Sequence, residues 1–62
     1  MNLDNLIKCI EEIKNSGLYD DSTFVTDIET DDNGDVSLSF ISRMGEISAT
    51  AKTKNGVAHI IP

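Results

Sequence analysis

Phe24-Val25-Thr26-Asp27-Ile28-Glu29-Thr30-Asp31-Asp32-Asn33-Gly34-Asp35-Val36-Ser37-Leu38-Ser39-Phe40 is the stretch on which the fold turns. Phe24, Thr26, Ile28 and Thr30 alternate with Val25, Asp27 and Glu29, and Val36, Leu38 and Phe40 alternate with Ser37, Ser39 and Ile41. A period of two is the strand period, and β-branched and aromatic residues favour it. Parity decides the turn between the two runs. A two-residue Asn33-Gly34 turn would oppose Ile28 to Ser39 and send the apolar sides of the strands to opposite faces. A three-residue loop, Asp32-Asn33-Gly34, pairs Asp31 with Asp35, Ile28 with Leu38 and Thr26 with Phe40, so the apolar residues share one face. Gly34 then takes the left-handed position of a type I turn with a G1 bulge. The three-residue hairpin is therefore expected.

The pattern continues downstream. Ile47, Ala49 and Ala51 alternate with Ser48, Thr50 and Lys52, and a last run extends from Val57 to Ile61. A turn at Met44-Gly45 pairs Phe40 with Ala49 and Leu38 with Ala51. The turn at Lys54-Asn55-Gly56 admits two registers. A three-residue loop points Val57, His59 and Ile61 inward, whereas a two-residue loop points Ala58 and Ile60 inward. The former is expected because it repeats the first turn. Strands thus fall at about 23–31, 35–43, 46–53 and 57–61.

Upstream the period changes to 3.6. Leu3, Leu6, Ile7, Ile10 and Ile13 make one helical stripe, with Asp4, Lys8, Glu11, Glu12 and Asn15 off it. Asn2 is the N-cap candidate, Asp4 suits the positive first turn and Lys14 the last. Gly17 reads as the left-handed C′ residue, with Leu18 placed to touch Ile13 in a Schellman ending. A helix over residues 3–16 is expected to cover one face of the sheet, and Ala49 and Ala51 let it lie close. The fold class is α+β, an N-terminal helix on a four-stranded antiparallel β-meander (αββββ), in a single domain over 1–62. The open face should carry the rows Glu29–Ser37–Lys52, Asp27–Ser39–Thr50 and Val25–Ile41–Ser48.

Size and composition narrow the function. A domain of 62 residues buries only about 60% of the surface of its unfolded chain and offers little support for a catalytic constellation. The single Cys9 rules out an intramolecular disulfide and fits a reducing, cytoplasmic home. No basic segment followed by an apolar run is present, so neither a signal peptide nor a membrane association is expected. Eleven acids against five bases give a net charge of −6, which repels nucleic acid and anionic membranes. Tyr19, Phe24 and Phe40 are too few for base stacking, and two of these three are expected in the core. A charge-steered partner would be a basic protein.

Seven acids, Asp20, Asp21, Asp27, Glu29, Asp31, Asp32 and Asp35, are concentrated where no lysine or arginine occurs between Asn15 and Ser42. Two accounts compete. Charge on an edge strand keeps a protein soluble and discourages edge-to-edge pairing. Alternatively, these residues are a docking strip for a basic groove, with carboxylates standing in for phosphates. They are the candidate partner-binding residues. Glu29-Thr30-Asp31-Asp32-Asn33-Gly34 imitates the start of an EF-hand loop, but position 12 is Phe40 and the flanks are strands, so no calcium site is expected. His59 has no second ligand at metal spacing and reads as a half-buried strand residue. Cys9 reads as a small core hydrophobe. No metal, cofactor or catalytic residue is expected, and the chain reads as a binder and not an enzyme.

In its size, lack of disulfides and acidic block from Asp20 to Asp35, the chain resembles the very small acidic inhibitors that bacteriophages encode against host systems, including anti-CRISPR and DNA-mimic proteins. The resemblance implies a stoichiometric mechanism in the host cytoplasm. The protein would occupy a basic site on a nucleic-acid-handling effector, with Asp27, Glu29, Asp31, Asp32 and Asp35 in contact. The alternative is an assembly domain, a homodimer joined through the last strand or the Val25/Ile41 corner, with the acids serving solubility.

Overall fold

The computed structural model describes residues 1–62. It contains α1 (Leu3–Asn15), β1 (Phe24–Thr30), β2 (Val36–Ser42), a 3-10 turn (Arg43–Gly45), β3 (Ile47–Lys54) and β4 (Val57–Ile61). The strands form one antiparallel sheet in the order β1-β2-β3-β4, with α1 on one face, the expected αββββ meander.

Asn2 caps α1, its side-chain oxygen accepting from the Asn5 N–H at 3.0 Å. The far end differs in detail from a Schellman ending. Gly17 has the expected left-handed φ of 82°, but the Leu18 N–H donates to Ser16 Oγ at 3.1 Å, and that hydroxyl donates to the Ile13 carbonyl at 2.7 Å. The serine relays a bond that the backbone would otherwise make directly.

The first hairpin has the three-residue loop. The Asp31 N–H donates to the Asp35 carbonyl, the Gly34 N–H to the Asp31 carbonyl, and Gly34 has φ 83°. Ile28 lies opposite Leu38 as parity required. A β-bulge between Val25 and Asp27 then moves Thr26 out of register, so that Val25 and not Thr26 opposes Phe40. The open-face corner is accordingly Phe24–Ile41–Ser48 in place of Val25–Ile41–Ser48. The second hairpin has the expected pairs, Phe40 with Ala49 and Leu38 with Ala51.

The last turn corrects the expectation. Lys54 pairs with Val57 across a two-residue Asn55-Gly56 turn with φ 53° and 77°. Both values are positive, as a type I′ turn requires, and its twist matches that of the strands. Ala58 and Ile60 therefore face the helix, while Val57, His59 and Ile61 do not. His59 is exposed beside Lys52, not half-buried.

Cys9, Ile13, Val36, Leu38, Phe40, Ala49 and Ala51 form the core, with Leu6, Leu18 and Ile60 packed against it. Cys9 is central. Its sulfur lies 3.5 Å from the Ala51 carbonyl oxygen and 3.7 Å from that of Val36. α1 lies over β2, β3 and β4 and not over β1. That placement splits the apolar stripe, since Leu6 and Ile13 turn inward while Leu3, Ile7 and Ile10 stay 68%, 49% and 43% exposed. Of the aromatics only Phe40 is buried, so the expectation of two in the core is corrected.

Thr53 is buried, accepting from the Val36 N–H at 2.9 Å. Ser42 is buried with no partner for its hydroxyl. An unpaired buried hydroxyl carries a desolvation cost of about 1–3 kcal/mol. Ser42→Ala is therefore expected to leave stability unchanged or raise it by up to about 1 kcal/mol, read from the urea midpoint at constant slope. A lower midpoint would show that the hydroxyl has a partner after all.

Candidate functional site

The seven acids do not form one strip. Asp20 precedes β1 and is a structural clamp. It accepts from the Ser22 hydroxyl at 2.6 Å, the Ser22 N–H at 2.9 Å and the Arg43 N–H at 3.1 Å. Ser22 Oγ in turn accepts from the Met44 N–H at 3.1 Å. The linker is thereby tied to the second turn, where Arg43 and Met44 both have positive φ. The Ser22 hydroxyl above all, opposed in part by desolvation and aided by the Ser22 and Arg43 amides and the Thr23 hydroxyl, holds the Asp20 carboxyl below its ordinary range.

The sign of the pH dependence follows. A carboxyl with a depressed folded pKa stabilises the fold fully above its unfolded value, and that contribution is lost as pH falls through the folded one. Urea midpoints are thus expected to fall more for the native chain than for Asp20→Asn as pH drops below about 4. Equal falls would remove Asp20 from the account of acid sensitivity.

Asp31 and Asp35 are also structural. Asp31 Oδ1 accepts from the Asn33 N–H at 2.8 Å and the Asp35 N–H at 3.0 Å, which shapes the turn. Asp35 is half-buried and accepts from the Thr53 hydroxyl at 3.4 Å. The turn is tied to α1 through Asn5 Nδ2, which donates to the Gly34 carbonyl at 2.8 Å. Asp21, Asp27, Glu29 and Asp32 remain exposed. Asp27 and Glu29 pair with Ser39 and Ser37, which places them on the open face. Asp20 and Asp21 stand at one end of β1 and Asp31 and Asp32 at the other. The acids bracket β1, the strand that α1 leaves bare.

Beside that strand lies an apolar groove of about 230 Å³ between α1 and β1. Ile10 and Ile13 form one wall, Val25 the other, and Leu38 and Phe40 the floor, while Phe24, paired with Ile41, borders the groove at the edge of the sheet. Lys14 closes one end, its ammonium 5.8 Å from the centre of the Tyr19 ring. Ile28, opposite Leu38, extends the apolar surface along β1 and is exposed.

Sequence reasoning missed this groove because the helical stripe was assigned wholly to the core. Widths alone contained the signal. A helix is about 10–12 Å across, whereas the four strand axes span about 14 Å, so one helix leaves a strand uncovered.

On the chemical side, the Cys9 thiol is sealed beneath α1, and burial pushes its pKa up. His59 is on the opposite face of the sheet. No helix of the structure is long and apolar enough to cross a membrane. No protein-family model, curated protein or solved structure matches the chain.

Proposed function

We propose that this protein is a small acidic binding protein, not an enzyme, that acts stoichiometrically by occupying a basic surface of a partner protein. A nucleic-acid-handling effector of a host cytoplasm is the fitting target, as for the anti-CRISPR and DNA-mimic inhibitors the chain resembles. The observation carrying this reading is the bracketing of the uncovered β1 by Asp20, Asp21, Asp31 and Asp32, with Asp27 and Glu29 between them. On a chain of net charge −6 such a rim steers basic partners and repels nucleic acid itself.

Charge reversal tests it best at acids with no structural duty. Asp21, Asp27, Glu29 and Asp32 changed together to Lys should leave the fold intact and weaken capture of basic proteins at least about tenfold at low salt. Capture by the native chain should also fall between about 50 mM and about 500 mM salt, as screening shortens the reach of exposed charge. Binding indifferent to both changes would sink the proposal.

The second reading, an assembly domain, draws on the exposure of Leu3, Ile7 and Ile10, since association is a common remedy for a small core. It expects a homodimer by sedimentation at micromolar concentration.

A further inference from the structure

The groove is the deepest part of a bare strip along β1 that has room for a second helix. α1 lies over β2, β3 and β4, so its axis is centred near β3. Packed helices sit 8–10 Å apart and neighbouring strands about 4.8 Å apart, so a second helix beside α1 falls about two strands away, directly over β1. The length agrees too. α1 has 13 residues, about 20 Å, and β1 has 7, about 23 Å. A helix of three to four turns would span that strip.

Ile10 and Val25 line the groove, and exposed apolar residues continue the strip beyond it on both elements. Leu3, Ile7 and Ile10 recur at spacings of four and three along the flank of α1, which is the ridge a neighbouring helix packs against. Val25 and Ile28 face it from β1.

The rim is acidic on several sides. Asp4 and Glu11 stand three and four residues from Ile7 on α1, hence beside the ridge. Asp20 and Asp21 lie at one end, and Asp31 and Asp32 at the other. Lys14 is the one base in the lining, and it lies against Tyr19. A second copy of this chain would bring its own Asp4 and Glu11 to that rim, where like charges repel. The occupant that complements both surfaces has an apolar face and a basic one.

We propose that the groove between α1 and β1 binds a basic amphipathic helix of a partner protein, which completes a two-helix layer over the four-stranded sheet. Leu3, Ile7, Ile10, Val25 and Ile28 take its apolar face, and the acids around the groove take its lysines and arginines. The inference rests on the basic-partner reading above and names the element that is recognised.

The test uses the intact chain, isotope-labelled, titrated with a synthetic Leu/Lys peptide of about 14 residues patterned at the helical period. A peptide of the same composition with strict Leu/Lys alternation, and an all-Lys peptide, run beside it. Saturable binding of the helical peptide is expected, with amide shifts at Ile7, Ile10, Val25 and Ile28. Ile7→Asp and Ile28→Asp, both at exposed positions, should each weaken it about tenfold or more, equivalent to about 1.4 kcal/mol.

If the alternating peptide binds more tightly, the occupant is an added strand and the proposal is overturned. If the all-Lys peptide binds equally well while the groove amides stay silent, the helix site fails but the acidic binder stands. Self-association that Ile7→Asp abolishes makes a second copy the occupant and also overturns the proposal. If none of the basic peptides binds at low salt, this inference and the function it rests on fail together.

Discussion

Phe40→Ala is expected to lower the free energy of unfolding by about 3–5 kcal/mol, whereas Phe24→Ala should change it by about 1 kcal/mol or less. The two phenylalanines lie on neighbouring strands of one hairpin, yet Phe40 is 1% exposed and Phe24 56%. Phe40 stands mid-sheet between Val25 and Ala49, under a helix held close by small residues. Its removal leaves a void that tightly packed neighbours refill only in part, which adds a cavity cost to the lost transfer energy. A domain of 62 residues has roughly 3–9 kcal/mol of stability in all, so Phe40→Ala removes at least about a third of it. Urea titration of both variants against the native chain, with slopes compared, decides the matter. If Phe24→Ala proved as costly as Phe40→Ala, the groove beside β1 would be closed in solution and its lining part of the core.

The same pair of residues shows how far sequence reading reaches. The period-two runs, the three-residue first turn and the pairing of Ile28 with Leu38 all follow from parity, because one face must hold the apolar set. Parity cannot anticipate the bulge at Val25/Thr26, since alternation is uninterrupted there and the extra residue is absorbed by local twist. At the last turn parity left two registers open. Repeating the first turn's chemistry was the weaker guide, and the two-residue Asn55-Gly56 turn, with both residues at positive φ, was the stronger one. Ala58 and Ile60 then face α1, and Ile60 packs against the core.

For the candidate site, the acids were legible as charge but not as individuals. Asp20, Asp31 and Asp35 look like Asp21 and Asp32 in the sequence. Only the fold shows that the first three accept hydrogen bonds from Ser22, Asn33 and Thr53. Leu3, Ile7 and Ile10 were legible as a stripe, but which part of a stripe is buried depends on where the helix axis sits over the sheet. That position is set by Cys9 resting on Ala51, a contact between residues 42 apart in the chain.

That contact leads to an expectation about thiol chemistry. Cys9 should react with a disulfide reagent such as DTNB at least about a hundredfold more slowly in the native protein than in the urea-unfolded chain. The thiolate is the reactive form, and burial pushes the Cys9 pKa up, so little of it exists in the folded state. Access is the larger barrier. With the sulfur between α1 and the carbonyls of Val36 and Ala51, the reagent reaches it only when the helix leaves the sheet. If that opening is global unfolding, the slowing equals the unfolding equilibrium, and 3–9 kcal/mol corresponds to roughly 10²–10⁶. The labelling rate should then climb with urea along the full equilibrium slope, and Phe40→Ala should cut the protection by about a hundredfold or more. A native rate close to that of the unfolded chain, insensitive to urea, would instead mean that α1 detaches from an intact sheet. In that case the ridge of Leu3, Ile7 and Ile10 would move with it, and the groove along β1 would have no fixed second wall on which a partner helix could pack.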